Sequence, residues 1–550
     1  MHYAPATISQ LAVSFAAGVG LHLAIFRHGE WDDDTNTILV GAAAGEAFST
    51  LLIHLYFSKT LNASMYHGLH WVLAAIVGIY TSMLVYRAFF HRLLRFPGPF
   101  TARLSTLHMT LRAAKTRQIY GYIQDLHKKF GDYVRVGPTE LSITDPAAFA
   151  AIYGPTSKCT KGPFYNTLNP TVSLHMTRNK KEHAQRRRAW DMAFSGKALK
   201  DYDERVIAYS NDLLNTVEQE RQDKPVNASQ LFNYYTFDVM GDLAFGKGFG
   251  MLKDHVDHSF LKIVHTNMDV VGIFFRLQWL FTMLRSIPIL NSGTIEFRKL
   301  VRSLVNNRVK TEPHVPDIFS WILKDFRKIS NPSWQQSQNL YGDGALIVVA
   351  GSDTTASALS CLLYNLSTHP DLYQKLQAEV DEFFASGDVG DDFETSSLGK
   401  LTYLQACIDE SLRMFPPFMS GVQRQTPPEG LQIGDVFIPG DTIVQMPTYA
   451  MCRDPRNFTQ PDEFIPERWT TRPELVKNAS ASSPFSIGRY ACVGKQLSLM
   501  EVRRVTTLIA RSYDVAMAPD QTKEAFLGGL RDNFTLATPK LDLEFSPRTK

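Results

Sequence analysis

The stretch that decides the fold is "PFSIGRYACVG", residues 484–494. It places Phe485, Gly488, Cys492 and Gly494 at relative positions 0, +3, +7 and +9. Glycines let a backbone approach a flat ligand closely and turn its N–H groups toward a sulfur atom. A helix that begins at Lys495 would add its positive N-terminal end next to the cysteine. The spacing therefore favours Cys492 as a thiolate ligand of iron.

Two other roles suit a cysteine in general. A free cysteine is most often a small buried side chain, and a catalytic nucleophile needs a base such as histidine nearby. No histidine lies close to Cys492 in the sequence, which weakens the second alternative. The chain has five cysteines, an odd number, and no CxxC pair. A disulfide framework or a zinc ribbon is therefore not expected, and a reducing compartment fits.

A second unusual stretch is "AGSDTT", residues 350–355, inside the apolar helical pattern 345–366. A glycine in mid-helix costs about 1 kcal/mol relative to alanine, and a buried aspartate or hydroxyl without a partner is unfavourable. In one interpretation the helix opens locally, so that Gly351 leaves room for a small ligand and Asp353 with Thr354 forms a proton relay. In the other, the helix is kinked and the threonine hydroxyls bond to the preceding turn. Both interpretations stay open on this stretch alone.

The third stretch is "ESLR", in which Glu410 and Arg413 share one face of a helix and can pair. The same spacing recurs elsewhere, at Glu218/Arg221 and Glu501/Arg504. The first pair differs in its neighbourhood, because "MFPP" ends the helix and "FIPERW", residues 464–469, then supplies Arg468. A buried charge network persists only where every member is satisfied. We expect Glu410, Arg413 and Arg468 to form such a network.

The first 95 residues have a different composition. Apolar runs cover 8–26, 37–57 and 68–86, each about the ~20 residues that cross a bilayer. Basic residues follow the third run, which predicts that its C-terminal end is cytosolic. A cleaved signal peptide is the alternative for the first run, but that run lacks a basic start. Because "RFPGPF" at 95–100 stops a helix, we predict an anchor of up to three transmembrane helices over 1–95 and a second domain over 96–550.

Three spans would place a short loop, 58–66, on the lumenal side. That loop contains Asn62-Ala63-Ser64, an acceptor sequence for glycosylation at Asn62. The connection 27–36, "RHGEWDDDTN", would be cytosolic, although its acidity gives the positive-inside rule little support.

The remainder of the chain is predicted to be mainly α with small β-sheets. From residue 101 the apolar spacing is mostly helical, and "DYVRVGPTELSITDP" at 132–146 alternates as strands do. The net charge of +3 gives no support for a nucleic-acid partner. There is no P-loop, and no GxGxxG between a strand and a helix, so a built-in nucleotide domain is not expected.

Together, in this order and spacing, the three stretches resemble the cytochrome P450 haem-thiolate monooxygenases, from about Phe96 to the C-terminus. The sequence looks most like the membrane-bound class that takes electrons from a separate reductase, in the form found in fungal natural-product pathways. The resemblance implies a cytochrome P450 fold preceded by transmembrane helices. It implies haem b as the cofactor, with Cys492 as the axial ligand of the iron.

The resemblance also implies roles for other residues. Asp353 and Thr354 would be catalytic and deliver protons during oxygen activation. The further residues implied at the cofactor are Phe485, Gly488, Arg489, Gly494, Arg187, His183, Arg424, Ala350 and Gly351, and the implied structural residues are Glu410, Arg413 and Arg468. One position departs from the family pattern, because Tyr490 stands where an arginine is usual and Arg489 comes one residue early. A contact between Arg489 and a haem propionate is therefore an open point.

The partners implied are NADPH–cytochrome P450 reductase, a flavoprotein that passes on electrons from NADPH, and cytochrome b5 as an optional second donor. The substrate would be a lipophilic small molecule, such as a terpenoid, a polyketide or an indole alkaloid, and no nucleic acid is expected. The location would be the endoplasmic reticulum membrane, multi-pass, with the haem domain facing the cytosol. The alternatives are an oxidase whose net reaction is desaturation, ring closure or ring expansion, a haem-thiolate isomerase, and a haem sensor without turnover.

Overall fold

A computed structural model describes residues 8–57, 59–222, 225–255, 259–385 and 393–549. The chain divides into two compact units. The first comprises Met1–Leu111, Val134–Leu141 and Phe274–Asn291, and the second comprises Arg112–Tyr133, Ser142–Ile273 and Ser292–Lys550. The domain boundary after residue 95 stays a prediction, since the first unit continues to Leu111.

The helices follow one another along the whole chain. They are α1 (Ile8–Leu21), α2 (Thr35–Phe57), α3 (Leu61–Phe89), α4 (Phe100–Leu104), α5 (Leu107–Thr116), α6 (Ile119–Phe130), α7 (Ala148–Tyr153), α8 (Lys180–Ala193), α9 (Gly196–Glu220), α10 (Ala228–Phe245), α11 (Met251–Asp254), α12 (Ser259–Phe274), α13 (Gln278–Arg285), α14 (Ser292–Lys310), α15 (Ile318–Phe326), α16 (Trp334–Thr368), α17 (Pro370–Ala385), α18 (Thr402–Met414), α19 (Thr448–Cys452), α20 (Lys495–Ser512) and α21 (Lys523–Gly529).

The strands are short. They are β1 (Tyr133–Gly137), β2 (Glu140–Ile143), β3 (Thr160–Lys161), β4 (Val226–Asn227), β5 (Arg424–Gln425), β6 (Leu431–Ile433), β7 (Val436–Ile438), β8 (Ile443–Gln445), β9 (Tyr513–Met517), β10 (Arg531–Asn533), β11 (Thr535–Ala537) and β12 (Asp542–Pro547). In the second unit β5 pairs antiparallel with β3 and with β8, and β12 lies antiparallel between β4 and β9. The predicted fold class, mainly α with small sheets, is confirmed.

The first unit contains the apolar N-terminal helices. Each of the three predicted apolar runs is helical, and α1 continues as a π-helix, His22–Phe26. Small residues bring α1 and α3 into close contact: a Cβ atom at Gly18 would lie 1.9 Å from the Ala75 carbonyl oxygen, and one at Gly78 would lie 2.2 Å from that of Phe15. Close approach at glycines is typical of helices that pack together inside a membrane.

Four helices in the described part of the chain are long and apolar enough to cross a membrane: Ile8–Phe26, Thr35–Tyr56, Leu61–Phe89 and Trp334–Thr368. Their burial separates them. The most apolar window of Trp334–Thr368 is 61% buried, whereas each N-terminal window is 11% buried. We therefore assign α16 to the protein core and the three N-terminal helices to a membrane anchor.

The acceptor sequence at Asn62 does not lie in a loop. Helix α3 already begins at Leu61, because the Thr60 hydroxyl caps it by accepting the Ala63 N–H at 3.4 Å. Asn62 is exposed in the first turn, while Ser64 is buried and donates its hydroxyl to the Thr60 carbonyl at 3.1 Å. The prediction of a loop over 58–66 is thus wrong for 61–66, and Ser58 lies outside the described residues.

The core of the second unit surrounds two long helices, α10 and α16. Helix α16 starts with a capping box in which Ser333 and Gln336 satisfy each other's backbone N–H groups. Most residues of its second half are buried, and α10 contributes large side chains such as Phe232, Tyr235 and Phe237. This packing holds one face of α16 firmly while its middle, near residue 350, borders a cavity.

Candidate active site

The cysteine loop is a tight turn that leads into a helix. A 3-10 turn covers Gly488–Tyr490, and α20 begins at Lys495. The Cys492 N–H donates to the Phe485 carbonyl at 2.8 Å, and the Ala491 N–H donates to that of Gly488 at 3.0 Å. These bonds close the loop, and the Cys492 side chain is left exposed to the cavity that it lines.

Gly488 supports the loop and is not one of the cavity-lining residues. Its φ of +71° is in the left-handed region, and a Cβ atom there would lie 2.5 Å from the Tyr153 carbonyl oxygen. The predicted cofactor contact of Gly488 is therefore indirect. It lets the loop pack against residues 153–154, whereas Gly494 and Phe485 do line the cavity.

Opposing influences act on the Cys492 sulfur. Burial raises the pKa of the Cys492 thiol, while the N–H groups of Gly494 and Lys495 and the charge of Arg187 act in the opposite direction. A metal binds the deprotonated sulfur. The N–H groups at the start of α20 are thus placed where they stabilise a thiolate ligand.

The cavity is mostly apolar and lies entirely within the second unit. Counting its solvent-open mouth, it holds about 1680 Å³ not occupied by protein atoms. That exceeds the ~300–1,000 Å³ usual for a small-molecule site, so there is room for a prosthetic group together with a substrate. The apolar wall includes Leu346 and Ile347 of α16, Phe418 and Val422.

One part of the cavity wall is cationic. Lys161 of β3 is buried, with its ammonium group 4.7 Å from the ring centre of Tyr490, and Arg424 of β5 lies 4.8 Å from the same ring. Burial, with the nearby Arg424 charge, lowers the pKa of Lys161 well below its usual value. Burial, with the Lys161 charge, lowers the pKa of His183 to about 3. Positive groups are crowded here without a facing carboxylate among the described lining residues.

Several donors in this cluster lack partners among the residues that the structure describes. They are His183 Nδ1, His175 Nε2, Arg424 Nε and the Tyr490 hydroxyl, all buried and all on lining residues. Buried polar groups are normally hydrogen-bonded. Two carboxylates such as the propionates of haem would satisfy these donors and the Lys161 charge, so the donor set fits haem, with the Cys492 sulfur as its ligand.

The predicted arginines divide into two groups. Arg187 and Arg424 line the cavity, and Arg187 Nη1 donates to the Ala491 carbonyl at 2.8 Å. Arg489 is exposed and is not among the lining residues. The geometry does not support the prediction that Arg489 binds the cofactor, because the turn directs Tyr490 inward instead, and Lys161 supplies the positive charge.

The middle of α16 combines both sequence interpretations. Ala350, Gly351 and Thr354 line the cavity, and the Thr354 hydroxyl donates to the Ala350 carbonyl at 2.8 Å. The missing side chain of Gly351 makes room for a neighbour rather than for a ligand. A Cβ atom there would lie 2.6 Å from Cε of Met240 on α10, so Gly351 permits two core helices to approach.

Asp353 faces away from Thr354. It is not among the lining residues, its side chain is 10% exposed, and its Oδ1 lies 3.6 Å from Nε2 of His265 on α12. The structure thus places Thr354 on the cavity but does not bring Asp353 to it. Helical neighbours point about 100° apart, which separates the two predicted members of the relay.

Behind the cavity, Glu410, Arg413 and Arg468 form one buried network. Arg413 donates to both Glu410 oxygens at 2.9 Å, and Arg468 Nε donates to Glu410 Oε1 at 2.8 Å. Trp469 Nε1 and the Ile465 N–H complete the coordination of the carboxylate, at 2.9 and 3.0 Å. All three charged side chains are essentially inaccessible. The network ties α18 to the segment 459–469.

Sequence reasoning missed three lining residues with ionisable side chains. Lys161 and His175 lie in a region of no recognisable motif, so nothing in the sequence marked them. Glu501 appeared only as one of the repeated Glu-x-x-Arg spacings. Its distance of nine residues from Cys492, on a helix that starts at the site, was the available signal.

Comparison with known proteins agrees with this geometry. The sequence model of the family described as "Cytochrome P450" matches residues 97–545. The chain is 49% identical to the cytochrome P450 monooxygenase FCK2 of Fusarium pseudograminearum, over 97% of each chain. It is 44% identical to the cytochrome P450 monooxygenase orf5 of Eupenicillium brefeldianum (86% of this chain, 95% of the other) and 36% identical to the tryprostatin B 6-hydroxylase of Aspergillus fumigatus (86% and 84%).

Proposed function

Since this chain belongs to the cytochrome P450 family, we propose that it is a membrane-anchored monooxygenase that inserts one oxygen atom of O2 into a lipophilic natural product of a fungal pathway. The family makes it a haem-dependent oxidoreductase. The observation that carries the proposal is the Cys492 side chain, exposed only where it meets a large apolar cavity. Haem with a thiolate ligand supplies the chemistry that activates O2.

The residues of this chain have separate tasks in the proposal. Cys492 holds the iron, and Lys161, His183, Arg187 and Arg424 orient the cofactor through its carboxylates. The apolar wall excludes water and positions the substrate. Thr354 presents its hydroxyl at the cavity surface, where protons are needed. The Glu410 network keeps the wall behind the site in place.

Electron delivery and location are also part of the proposal. NADPH–cytochrome P450 reductase would supply the electrons, and cytochrome b5 is an optional second donor. The anchor would lie in the endoplasmic reticulum membrane with the second unit in the cytosol, supported by the basic residues Arg87, Arg92 and Arg95 after the third helix. Glycosylation at Asn62 would mark the lumenal side. A shift in mobility on deglycosylation, absent in Asn62→Gln, supports this topology, and an unshifted wild-type chain contradicts it.

The monooxygenase proposal is tested with the purified full chain, reductase, NADPH and O2. We expect reductase-dependent NADPH consumption. We also expect Thr354→Ala to keep the haem–thiolate spectrum while more of the electrons end in hydrogen peroxide, because the hydroxyl no longer helps to hold protons at the cavity. A normal spectrum without any NADPH consumption would instead favour a haem-thiolate isomerase.

A further inference from the structure

Glu501 is a buried acid that the proposed chemistry has not yet used. It lies on α20, its side chain is 1% exposed, and Oε2 has no hydrogen-bond partner among the residues that the structure describes. Burial alone raises the pKa of Glu501 well above its usual value. An unpaired carboxylate is very unfavourable in such a place. Glu501 therefore carries a proton at neutral pH.

Its position is on the cavity, together with hydroxyl groups. Glu501 and Ser498 both line the cavity and, three residues apart on α20, share one helix face. The Ser498 hydroxyl lies 3.1 Å from that of Thr355 on α16. Thr354 also lines the cavity. One carboxylic acid and three hydroxyl groups thus meet where α20 crosses α16.

A small side cavity joins two of these hydroxyl groups. It has a volume of about 30 Å³ and is lined by Thr354, Ser498 and Ser411, among apolar residues. One water molecule needs roughly 10–15 Å³ by such a measure, and two to four polar partners. The side cavity meets both conditions, so a water molecule there would connect Ser498 with Thr354.

We propose that Glu501, and not Asp353, is the acid that holds the proton delivered to Thr354, through Ser498 and one bound water molecule. The proposal rests on the proposed monooxygenase function. Asp353 is not on the cavity wall and faces His265 of α12, whereas Glu501 is on the wall and has no cation to keep it ionised.

The balance of the step is simple. The overall reaction is RH + O2 + NADPH + H⁺ → ROH + H2O + NADP⁺, with electrons from the reductase. Glu501 gives its O–H proton to Ser498, Ser498 gives its own proton to the water molecule, and that water gives one to the Thr354 hydroxyl, which passes its own proton on. Glu501 is left as a carboxylate and regains a proton from water at the cavity mouth. Tyr235 of α10, whose own pKa burial and the Glu501 charge raise, is the ionisable neighbour on the opposite side.

The first test measures the proton directly. Infrared spectra of the holoprotein are recorded near neutral pH for wild type and Glu501→Gln, in H2O and D2O. We expect a protonated carboxyl band that shifts in D2O, is present in wild type and is absent in the variant. Glu218→Gln, at a surface glutamate with the same spacing to an arginine, should retain the band. If the wild-type minus Glu501→Gln difference shows a carboxylate band instead, the proposal is wrong.

The second test measures where the proton is used, with O2 as the probe. Peroxide formed per NADPH consumed is compared in Glu501→Gln, Glu501→Asp and Asp353→Asn, at an unchanged haem–thiolate spectrum. We expect the ratio to rise toward one-to-one in Glu501→Gln and to be restored toward the wild-type value in Glu501→Asp. A wild-type ratio in Glu501→Gln with a raised ratio in Asp353→Asn would overturn the proposal. Absence of NADPH consumption in wild type would contradict the monooxygenase function, while the infrared band still tests Glu501.

Discussion

Glu410 and Glu501 begin with the same local sequence and end in opposite electrostatic states. Each is followed three residues later by an arginine, and each is almost completely buried. Glu410 receives donors from two arginines, a tryptophan and a backbone N–H. Glu501 has burial and no cation, while Arg504 donates to the Phe393 carbonyl at 3.1 Å instead. The difference teaches that tertiary partners, and not helical spacing, decide whether a buried glutamate is a lock or a proton store.

A third pair, Glu218 and Arg221, shows the same spacing on a surface. The two side chains form an ion pair at 45% and 20% exposure, and Tyr513 donates to Glu218 at 2.7 Å. An exposed pair is screened by water and contributes little. Glu218 is therefore a matched reference for both buried glutamates.

The largest effect should come from Glu410→Gln. The substitution leaves two buried guanidinium groups without a counter-charge, which typically costs about 3–5 kcal/mol of unfolding free energy. Chemical unfolding of the detergent-solubilised chain, followed by circular dichroism, measures the loss. A loss below about 1 kcal/mol, the range of an exposed pair, would contradict the view that this network locks the fold.

A smaller, pH-dependent effect should come from Glu501→Gln. The unfolded chain releases the Glu501 proton above a pKa of about 4.3, while the folded chain retains it. The wild type should therefore lose about 1.4 kcal/mol per pH unit relative to the variant as the pH rises above that value, until the higher folded pKa is reached. Unfolding curves over a pH series measure the difference. A difference that does not change with pH would show that Glu501 is ionised in the fold.

The smallest effect should come from Glu218→Gln. Loss of this exposed pair should lower the unfolding free energy by at most about 1 kcal/mol. Because the pKa of Glu218 is lowered to about 2 by its bonds to Arg221 and Tyr513, the small contribution is present above pH 4.3 and fades as the pH falls through about 2. That sign is opposite to the one expected for Glu501. Unfolding curves recorded from acidic to neutral pH distinguish the two.

The sequence predicted what depends on local geometry. The cysteine turn, the helix after it and the Glu410 pair follow from glycine positions and helical spacing, and the apolar N-terminal runs are helices. What depends on tertiary packing was not predictable. Met240 beside Gly351 comes from a helix crossing, and His265 beside Asp353 from a distant helix. The inward turn of Tyr490 instead of Arg489, with Lys161 above it, requires a strand more than 300 residues earlier.

The central claim is that Cys492 is the thiolate ligand of haem, and one spectrum tests it most directly. The full-length protein and Cys492→Ser are reduced with dithionite and exposed to carbon monoxide, and the difference spectra are recorded. The account predicts, for the wild type, the long-wavelength Soret band that gives the family its name, and its loss in the variant. A wild-type chain that binds haem but shows only the shorter-wavelength band of a non-thiolate complex, or a Cys492→Ser variant that retains the long-wavelength band, would contradict it.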